Sequence, residues 1–268
     1  MPTAPDAPRA PATGAAIAAI VRRHDPDRYF TALFAPPALR ETHLTLYAFN
    51  HELARAREVT SNPTLALIRL HWWREVVMGE HRPHEVATPL HAALAAGLLH
   101  TPDLLAMIDA REAETETEIA MPAWRAWLLQ GAGSLAGAAA RLLAAPDDAL
   151  DRQRARGAGY AIAGLLRSIG AFARQGRCLL PADLLAHHDL TPDLVIAAPH
   201  SPALAPVRAA LGGEGRALLG DPSPCGRGWI AAALPAVLAR RDLRRLSARP
   251  RLVDDRIAVI AAAVRGKA

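Results

Sequence analysis

The chain has 268 residues, of which 51% are hydrophobic, so it has ample material for a buried core. Its formal charge of +5 is modest, aromatic residues make up 4%, and no zinc-finger or RNA-recognition signature occurs, which argues against nucleic-acid binding. Cys178 and Cys225 lack CxxC spacing, so they predict neither a disulfide framework nor a zinc site and fit a reducing cytoplasm.

The beginning of the chain is rich in Pro and Ala and lacks the basic start and apolar core of a secretory signal. We expect residues 1–16 to form a disordered leader and residues 17–268 to form one helical domain, because Ala and Leu dominate and no alternating β-branched run occurs. The most apolar stretch, residues 127–145, is interrupted by Gln130 and Arg141, so the chain is not predicted to span a membrane.

Proline marks the beginning of each early helix. Asp25 followed by Pro26 is typical of an N-cap and first helical residue, and this helix should extend to about residue 34. A long helix over residues 37–58 and another over residues 63–78 should follow, and both begin at a proline. Between the next helices, His81, His84 and His91 are spaced as loop histidines rather than as a metal site.

The rest of the chain is also predicted to be helical. Gly133 and Gly137 indicate close approach of another helix, because no strand precedes them as a nucleotide-binding loop requires. Residues 199–228 are dense in Pro and Gly and should be the least ordered part, and Pro235 should kink its helix. Two short helices should begin near residues 89 and 102. Further helices are predicted over residues 122–144, 147–174, 181–186, 203–211, 229–246 and 254–264.

Two of these helices carry candidate functional residues at helical spacing. In the run YAFNHELARARE, spacings of three, four and four place Tyr47, Asn50, Ala54 and Glu58 on one face, with Arg55 beside them. We expect this face to line a central cavity.

The second run is GYAIAGLLRSIGAFARQGRCLLP, which begins at residue 159. In it, Ser168 and Phe172 lie one turn apart on one face, with Arg167 and Arg177 nearby. Arg55 and Arg167 could grip a phosphate group, since guanidinium is a good bidentate phosphate partner.

These runs resemble the two signatures of the squalene/phytoene synthase family. The resemblance implies an all-α, isoprenoid synthase-like helical bundle around a central cavity, in which aspartates hold magnesium against a substrate diphosphate. In this chain Glu58 is the one acidic residue left at those positions. The other acidic positions hold Ala54, Arg55, Ser168 and Phe172. We therefore expect no catalytic residue, no metal site and no cofactor.

The first run and the residues after it are most similar to a branch of the family that contains a mitochondrial complex I assembly factor and its alphaproteobacterial counterparts. That branch is regarded as non-enzymatic. The resemblance implies a binding protein whose partner belongs to a respiratory complex of the complex I type or to its assembly intermediates.

Two other functions remain open. One is an active head-to-head prenyltransferase that uses magnesium, with Glu58 and arginines replacing the lost aspartates. The other is an isoprenoid or lipid carrier that uses the apolar cavity. The basic group Arg240, Arg241, Arg244 and Arg245 is either a solvated helix end or a contact with anionic lipid. We expect a cytoplasmic protein that can also lie peripherally on the inner membrane.

Overall fold

The computed structural model describes residues 13–58, 63–114, 119–246 and 251–268. Those residues form an all-α structure without named strands, as the sequence predicts. A π-helical turn, Leu129–Gly133, joins α7 to α8, and a short 3-10 turn, Pro202–Leu204, precedes α12. The helices are α1 Thr13–His24, α2 Pro26–Ala32, α3 Pro37–Glu58, α4 Pro63–Val77, α5 Ala87–Ala95, α6 Thr101–Ala113, α7 Met121–Leu128, α8 Ser134–Leu142, α9 Asp147–Arg174, α10 Ala182–Ala186, α11 Pro192–Ala197, α12 Ala205–Leu219, α13 Ile230–Ala233, α14 Pro235–Arg245 and α15 Val253–Arg265.

Helix α9 is the longest described helix and organises the packing of the others. It lies against α8, α12 and α14 along its length. Two buried clusters result. The first joins the helices of the N-terminal half with α13 and parts of α14 and α15, and the second packs α7, α12 and α14 against the C-terminal half of α9. Burying these apolar side chains contributes roughly 25 cal/mol per Å² removed from water.

Close packing around α9 depends on glycine. A Cβ atom on Gly133 would lie 3.0 Å from the carbonyl oxygen of Arg154, and one on Gly137 would lie 3.0 Å from the Arg154 Cγ atom. On the facing side, a Cβ atom on Gly157 would lie 2.3 Å from the carbonyl oxygen of Ala132. The small residues thus allow the π-turn, α8 and α9 to approach closely, as the sequence predicts.

The N-terminal prediction needs correction. Helix α1 begins at Thr13, within the predicted leader of residues 1–16, and residues 1–12 lie outside the described residues. Ile17 and Val21 of this helix are buried against the core, and α1 packs on α3. An Ala-rich stretch with apolar residues one turn apart satisfies helical periodicity, which the Pro-rich composition of the preceding residues obscures.

The Pro- and Gly-rich stretch over residues 199–228 is also more ordered than expected. Helix α12 occupies Ala205–Leu219 and buries Val207 and Leu211 against α9. Its glycines face neighbours: a Cβ atom on Gly215 would lie 2.7 Å from Leu243 Cδ1. Close helix contacts therefore account for glycines that otherwise indicate a loop. The proline at 235 does not kink one helix but separates α13 from α14.

The histidines between α4 and α5 and in α5 itself have structural roles. His84 Nδ1 accepts hydrogen bonds from the backbone N–H groups of Val86, at 3.1 Å, and Ala87, at 3.4 Å, at the start of α5. The rings of His81 and His91 meet edge to face with centroids 5.3 Å apart. His81 and His84 thus lie in a loop, as predicted, whereas His91 lies within α5. Within the described ranges, no helix is both long and apolar enough to cross a bilayer.

Candidate functional site

The principal cavity lies between α3, α6 and α9 and has a volume of about 290 Å³. Helix α3 contributes Asn50 and Ala54, and helix α9 contributes Ser168 and Phe172. Residues three or four apart share a helix face, so these parts of the two predicted stripes open into the same space. The structure thus brings together the degenerate motif positions of the two helices.

Most of the remaining wall is apolar. Met107 and Ala110 come from α6, and Leu128 and Leu165 come from α7 and α9. The Trp127 indole closes one side and donates a hydrogen bond of 3.0 Å from Nε1 to the Ala110 carbonyl oxygen. Large apolar side chains with a few polar groups are typical of pockets that enclose small organic ligands.

A charged group lies at one side of the cavity. Glu114, whose side chain is 4% exposed, accepts hydrogen bonds from Arg111 to Oε1 and from Arg177 to Oε2, the latter at 3.0 Å. The Arg177 guanidinium also lies 5.7 Å from the Phe172 ring centroid. Both oxygens of the carboxylate are therefore occupied by arginine, and Arg177 is fixed at the cavity wall.

A second charged group, which the sequence analysis missed, closes another side. The Arg28 guanidinium lies 4.6 Å from the Tyr160 ring centroid and 5.6 Å from that of Tyr47, and Arg28 Nη1 donates to Asp25 Oδ2 at 2.8 Å. Burial alone would lower the pKa of Arg28, but Asp25 and the two tyrosines raise it above its usual value. Arg28 therefore stays charged, and its contacts with the ring faces are cation–π interactions.

Burial dominates the protonation of the two tyrosines. It raises the pKa of Tyr47 and the pKa of Tyr160 well above their ordinary value, although the nearby Arg28 opposes the shift in both cases. Both phenols therefore remain neutral. Tyr160 could have been found from the sequence, because Tyr160, Gly164, Ser168 and Phe172 continue one four-residue stripe along α9.

Three predicted cavity residues lie outside the wall of the principal cavity. Tyr47 lines a smaller cavity beyond Arg28 instead. Arg55 Nη1 pairs with Glu52 Oε1 at 2.9 Å, and its side chain is 45% exposed, outside the cavity wall. Arg167 Nη1 lies 3.3 Å from Asp242 Oδ2, on the side of α9 that faces α14. One residue step turns a helix by about 100°, so neighbours of Ala54 and Ser168 point away from the space those residues face. The side chain of Glu58 lies outside the described residues.

The donor set of the cavity can be compared with the needs of magnesium. Magnesium prefers carboxylate oxygens and keeps several waters. The described wall offers one carboxylate, Glu114, and both its oxygens accept from arginine. Across the described ranges, no three His, Cys, Asp or Glu side chains cluster as metal ligands. These residues do not fit a cluster of several magnesium ions.

The sequence profile of the family described as squalene/phytoene synthase matches residues 21–262. The chain belongs to the squalene/phytoene synthase family. Its fold agrees: a crystal structure of a dehydrosqualene synthase in complex with ligand superposes with a TM-score of 0.76 at 13% identity, covering 94% of this chain and 95% of that one. The squalene synthase HpnC from Alicyclobacillus acidocaldarius superposes with a TM-score of 0.65 at 16% identity, covering 95% and 94%. The fold is the isoprenoid synthase helical bundle.

The chain is also similar to proteins named "NADH dehydrogenase (ubiquinone) complex I, assembly factor 6". The Bos taurus protein is 32% identical over 97 residues, which is 35% of this chain and 29% of that protein. The Homo sapiens protein is 31% identical over 97 residues, with the same coverage of 35% and 29%. The matched stretch therefore spans under a third of these relatives.

The basic group at the end of α14 is largely engaged inside the protein. Arg240 donates to the carbonyl oxygens of Leu219, at 3.0 Å, and Gly220, at 3.1 Å. Arg241 and Arg245 pair with the buried Asp255 at the start of α15. These contacts show that the helix end has a structural role. A peripheral membrane contact through this group stays a prediction.

Proposed function

We propose that this chain is a non-catalytic member of the squalene/phytoene synthase family that acts by binding, in the assembly of a membrane respiratory complex of the complex I type. The observation that supports the loss of catalysis is the set of side chains at the motif positions. Ala54, Ser168 and Phe172 line the cavity where the family resemblance implies metal-binding carboxylates. The proposal includes no catalytic residue, no metal and no cofactor.

The chemistry of the family reaction supports this reading. When a diphosphate departs from an allylic carbon, negative charge grows on the leaving group, and metal ions normally neutralise it. Asn50 and Ser168 are neutral, and Glu114 is engaged by Arg111 and Arg177. Arginine can grip phosphate, but the positive charges of this wall do not replace several divalent ions.

The partner is inferred from the similarity to complex I assembly factor 6, which extends over 97 residues. We infer that the chain binds a subunit of a respiratory NADH dehydrogenase or one of its assembly intermediates. The proposal places the protein in the cytoplasm, with a peripheral contact at the inner membrane where that complex is built.

Deleting the gene and measuring two quantities in the same cells tests this function. The proposal expects loss of assembled NADH:quinone oxidoreductase on native gels and an unchanged profile of squalene, hopanoids and carotenoids. Re-expression of the wild-type chain should restore assembly. Normal assembly together with a lost isoprenoid product would overturn the proposal and favour the enzyme.

The competing enzyme function has a direct assay. The fold similarity to synthases and the acidic residue at position 58 favour it. Purified protein with magnesium and farnesyl or geranylgeranyl diphosphate should release no diphosphate beyond a protein-free control. Sustained release that is abolished by Glu58→Gln would establish an active prenyltransferase instead.

The cavity itself favours a second binding function, which is the capture of an isoprenoid or other lipid. A volume of about 290 Å³ with a mostly apolar wall is at the lower end for a pocket that encloses an organic ligand. Native mass spectrometry of the purified protein should then show a bound lipid. Gly164→Leu places a side chain in this cavity, whereas Gly213→Leu makes the same change on α12 away from it. Lipid retained equally by both variants would contradict binding in the cavity.

A further inference from the structure

A second, much smaller cavity lies on the other side of Arg28 and Tyr160. It has a volume of about 20 Å³ and is enclosed by residues of α8, α9 and the α13–α14 junction. That volume holds about one water molecule or one ion of similar size. Its wall includes Gln153 and Arg156, which lie one turn apart on α9. The family resemblance assigns no role to either residue.

Polar atoms in this wall have no partner among the described residues. Gln153 is 0% exposed, and neither its Nε2 nor its Oε1 atom makes a hydrogen bond there. The Nε atom of Arg156 is also buried without a partner. A buried amide or guanidinium N–H group without an acceptor costs about 1–3 kcal/mol of stability or more, so such groups normally bond to a protein atom, a water molecule or an ion.

The charge of Arg156 indicates which kind of ligand the cavity binds. Arg156 is 2% exposed, and its terminal nitrogens contact Ser223 Oγ at 2.8 Å, the Asp221 carbonyl oxygen at 3.5 Å and Cys225 Sγ at 3.8 Å. In the described part of the chain, no carboxylate lies within ion-pair distance of it. A buried cation without a counter-charge is strongly unfavourable.

Neighbouring cations increase this positive charge. Burial lowers the pKa of Arg156, the contact with Cys225 partly opposes this shift, and the nearby Arg152 lowers the pKa further. Burial also lowers the pKa of Arg240 to about 10, and Arg156 is the next cause of that shift. Asp25 and Asp221 supply negative charge to Arg28 and Arg240, but not an ion pair to Arg156. A water molecule could satisfy the hydrogen bonds but would leave this charge uncompensated.

We propose that the small cavity binds one monovalent anion of halide size, held by the Nε–H group of Arg156 and the side-chain amide of Gln153, with Arg28 completing the positive surroundings. Chloride is only slightly larger than water and accepts several N–H donors. The bound anion neutralises Arg156 where α8, α9 and α14 meet. It therefore stabilises the bundle, independently of whether the large cavity binds a ligand.

Thermal unfolding in sodium chloride, sodium bromide or sodium methanesulfonate at constant ionic strength tests this site. At about five times the dissociation constant, chloride should raise the melting temperature by about 2–4 °C, whereas methanesulfonate, which is too large, should not. Crystals grown in bromide should show an anomalous peak between Gln153 and Arg156.

Gln153→Glu is the decisive variant because it supplies a fixed negative charge beside Arg156. It should fold, lose the chloride-specific rise in melting temperature and lose the bromide peak. Gln175→Glu makes the same change at the exposed end of α9 and should keep both. An ordered water without an anomalous peak, or a chloride effect equal to that of methanesulfonate, would overturn the proposal. So would a chloride response that persists in Gln153→Glu.

Discussion

Replacing Gly157 by alanine should destabilise the protein, although the same change at Gly164 on the same helix should stabilise it. A Cβ atom at 157 would lie 2.3 Å from the Ala132 carbonyl oxygen and 2.6 Å from Ala136 Cβ, whereas a Cβ atom at 164 meets nothing within 4 Å. A close C···O contact is about 3.3 Å, so the π-turn and α9 must separate by about 1 Å to accept the new methyl group.

The magnitude follows from two opposing terms. Alanine is favoured over glycine inside a helix by about 1 kcal/mol, and this gain applies at both positions. Overpacking against a backbone atom that cannot rotate away costs about 3 kcal/mol, the upper part of the observed range. Gly157→Ala should therefore lose about 2 kcal/mol of unfolding free energy, and Gly164→Ala should gain up to about 1 kcal/mol.

The assay is thermal unfolding of both variants and the wild type under identical conditions. We expect the melting temperature to fall by about 4–8 °C for Gly157→Ala and to rise by about 2–4 °C for Gly164→Ala. Equal shifts of the same sign would refute the reasoning, because helix propensity alone would then explain both. Such a result would mean that α9 and the π-turn do not approach as closely as the structure shows.

Three further predictions concern charged groups. Burial, followed by the charge of Arg28, lowers the pKa of His43 from 6.5 to about 3. Between these pH values the unfolded chain binds a proton that the folded chain does not, so the unfolding free energy should fall by about 1.4 kcal/mol per pH unit below pH 6. His43→Leu should remove that slope in urea titrations at pH 7, 6 and 5. Burial alone would raise the pKa of Asp255, but hydrogen bonds from Arg241, the Leu252 N–H and Arg245 hold this pKa at about 2 instead of 3.8. The carboxylate therefore contributes about 2 kcal/mol of unfolding free energy, which is present above pH 3.8 and lost toward pH 2. Asp255→Asn should lose this contribution in denaturant unfolding at pH 7, and a loss below about 0.5 kcal/mol would contradict the prediction. Asp103 links α6 to α8 and α9, because it accepts hydrogen bonds from Arg141 at 3.3 Å and Arg154 at 2.7 Å. Asp103→Asn should therefore lose about 1–3 kcal/mol of unfolding free energy in denaturant. An unchanged denaturation midpoint would mean that these pairs add nothing to stability.

Helical periodicity allowed much of the fold and part of the site to be predicted from the sequence. Spacings of three and four residues placed Asn50, Ala54, Ser168 and Phe172 on faces that the structure brings to one cavity. Proline positions also predicted the beginnings of several helices, among them α2, α3 and α4, because proline fits the first turn. These features depend on local geometry, which a single sequence expresses directly.

Features that depend on contacts between distant segments could not be predicted. Arg28 lies on α2, yet its tyrosine partners lie on α3 and α9, and no local pattern links them. Arg167 was expected at the cavity because of the family motif, but its charge is taken by Asp242, 75 residues away. Glycines within α12 indicated a loop until their close contacts with α9 and α14 were known.

The balance of charge around the large cavity connects these observations with the choice between functions. In the described wall, Arg111 and Arg177 share the single carboxylate of Glu114, and Arg28 is matched by Asp25, so the wall carries a net charge of about +1. A positive, partly desolvated wall repels divalent cations and attracts anionic groups. The one carboxylate of the described wall, Glu114, holds two arginines in place. The cavity-facing positions of α3 and α9 carry neutral side chains, which are Asn50, Ala54, Ser168 and Phe172. This distribution of charge supports the proposed binding function.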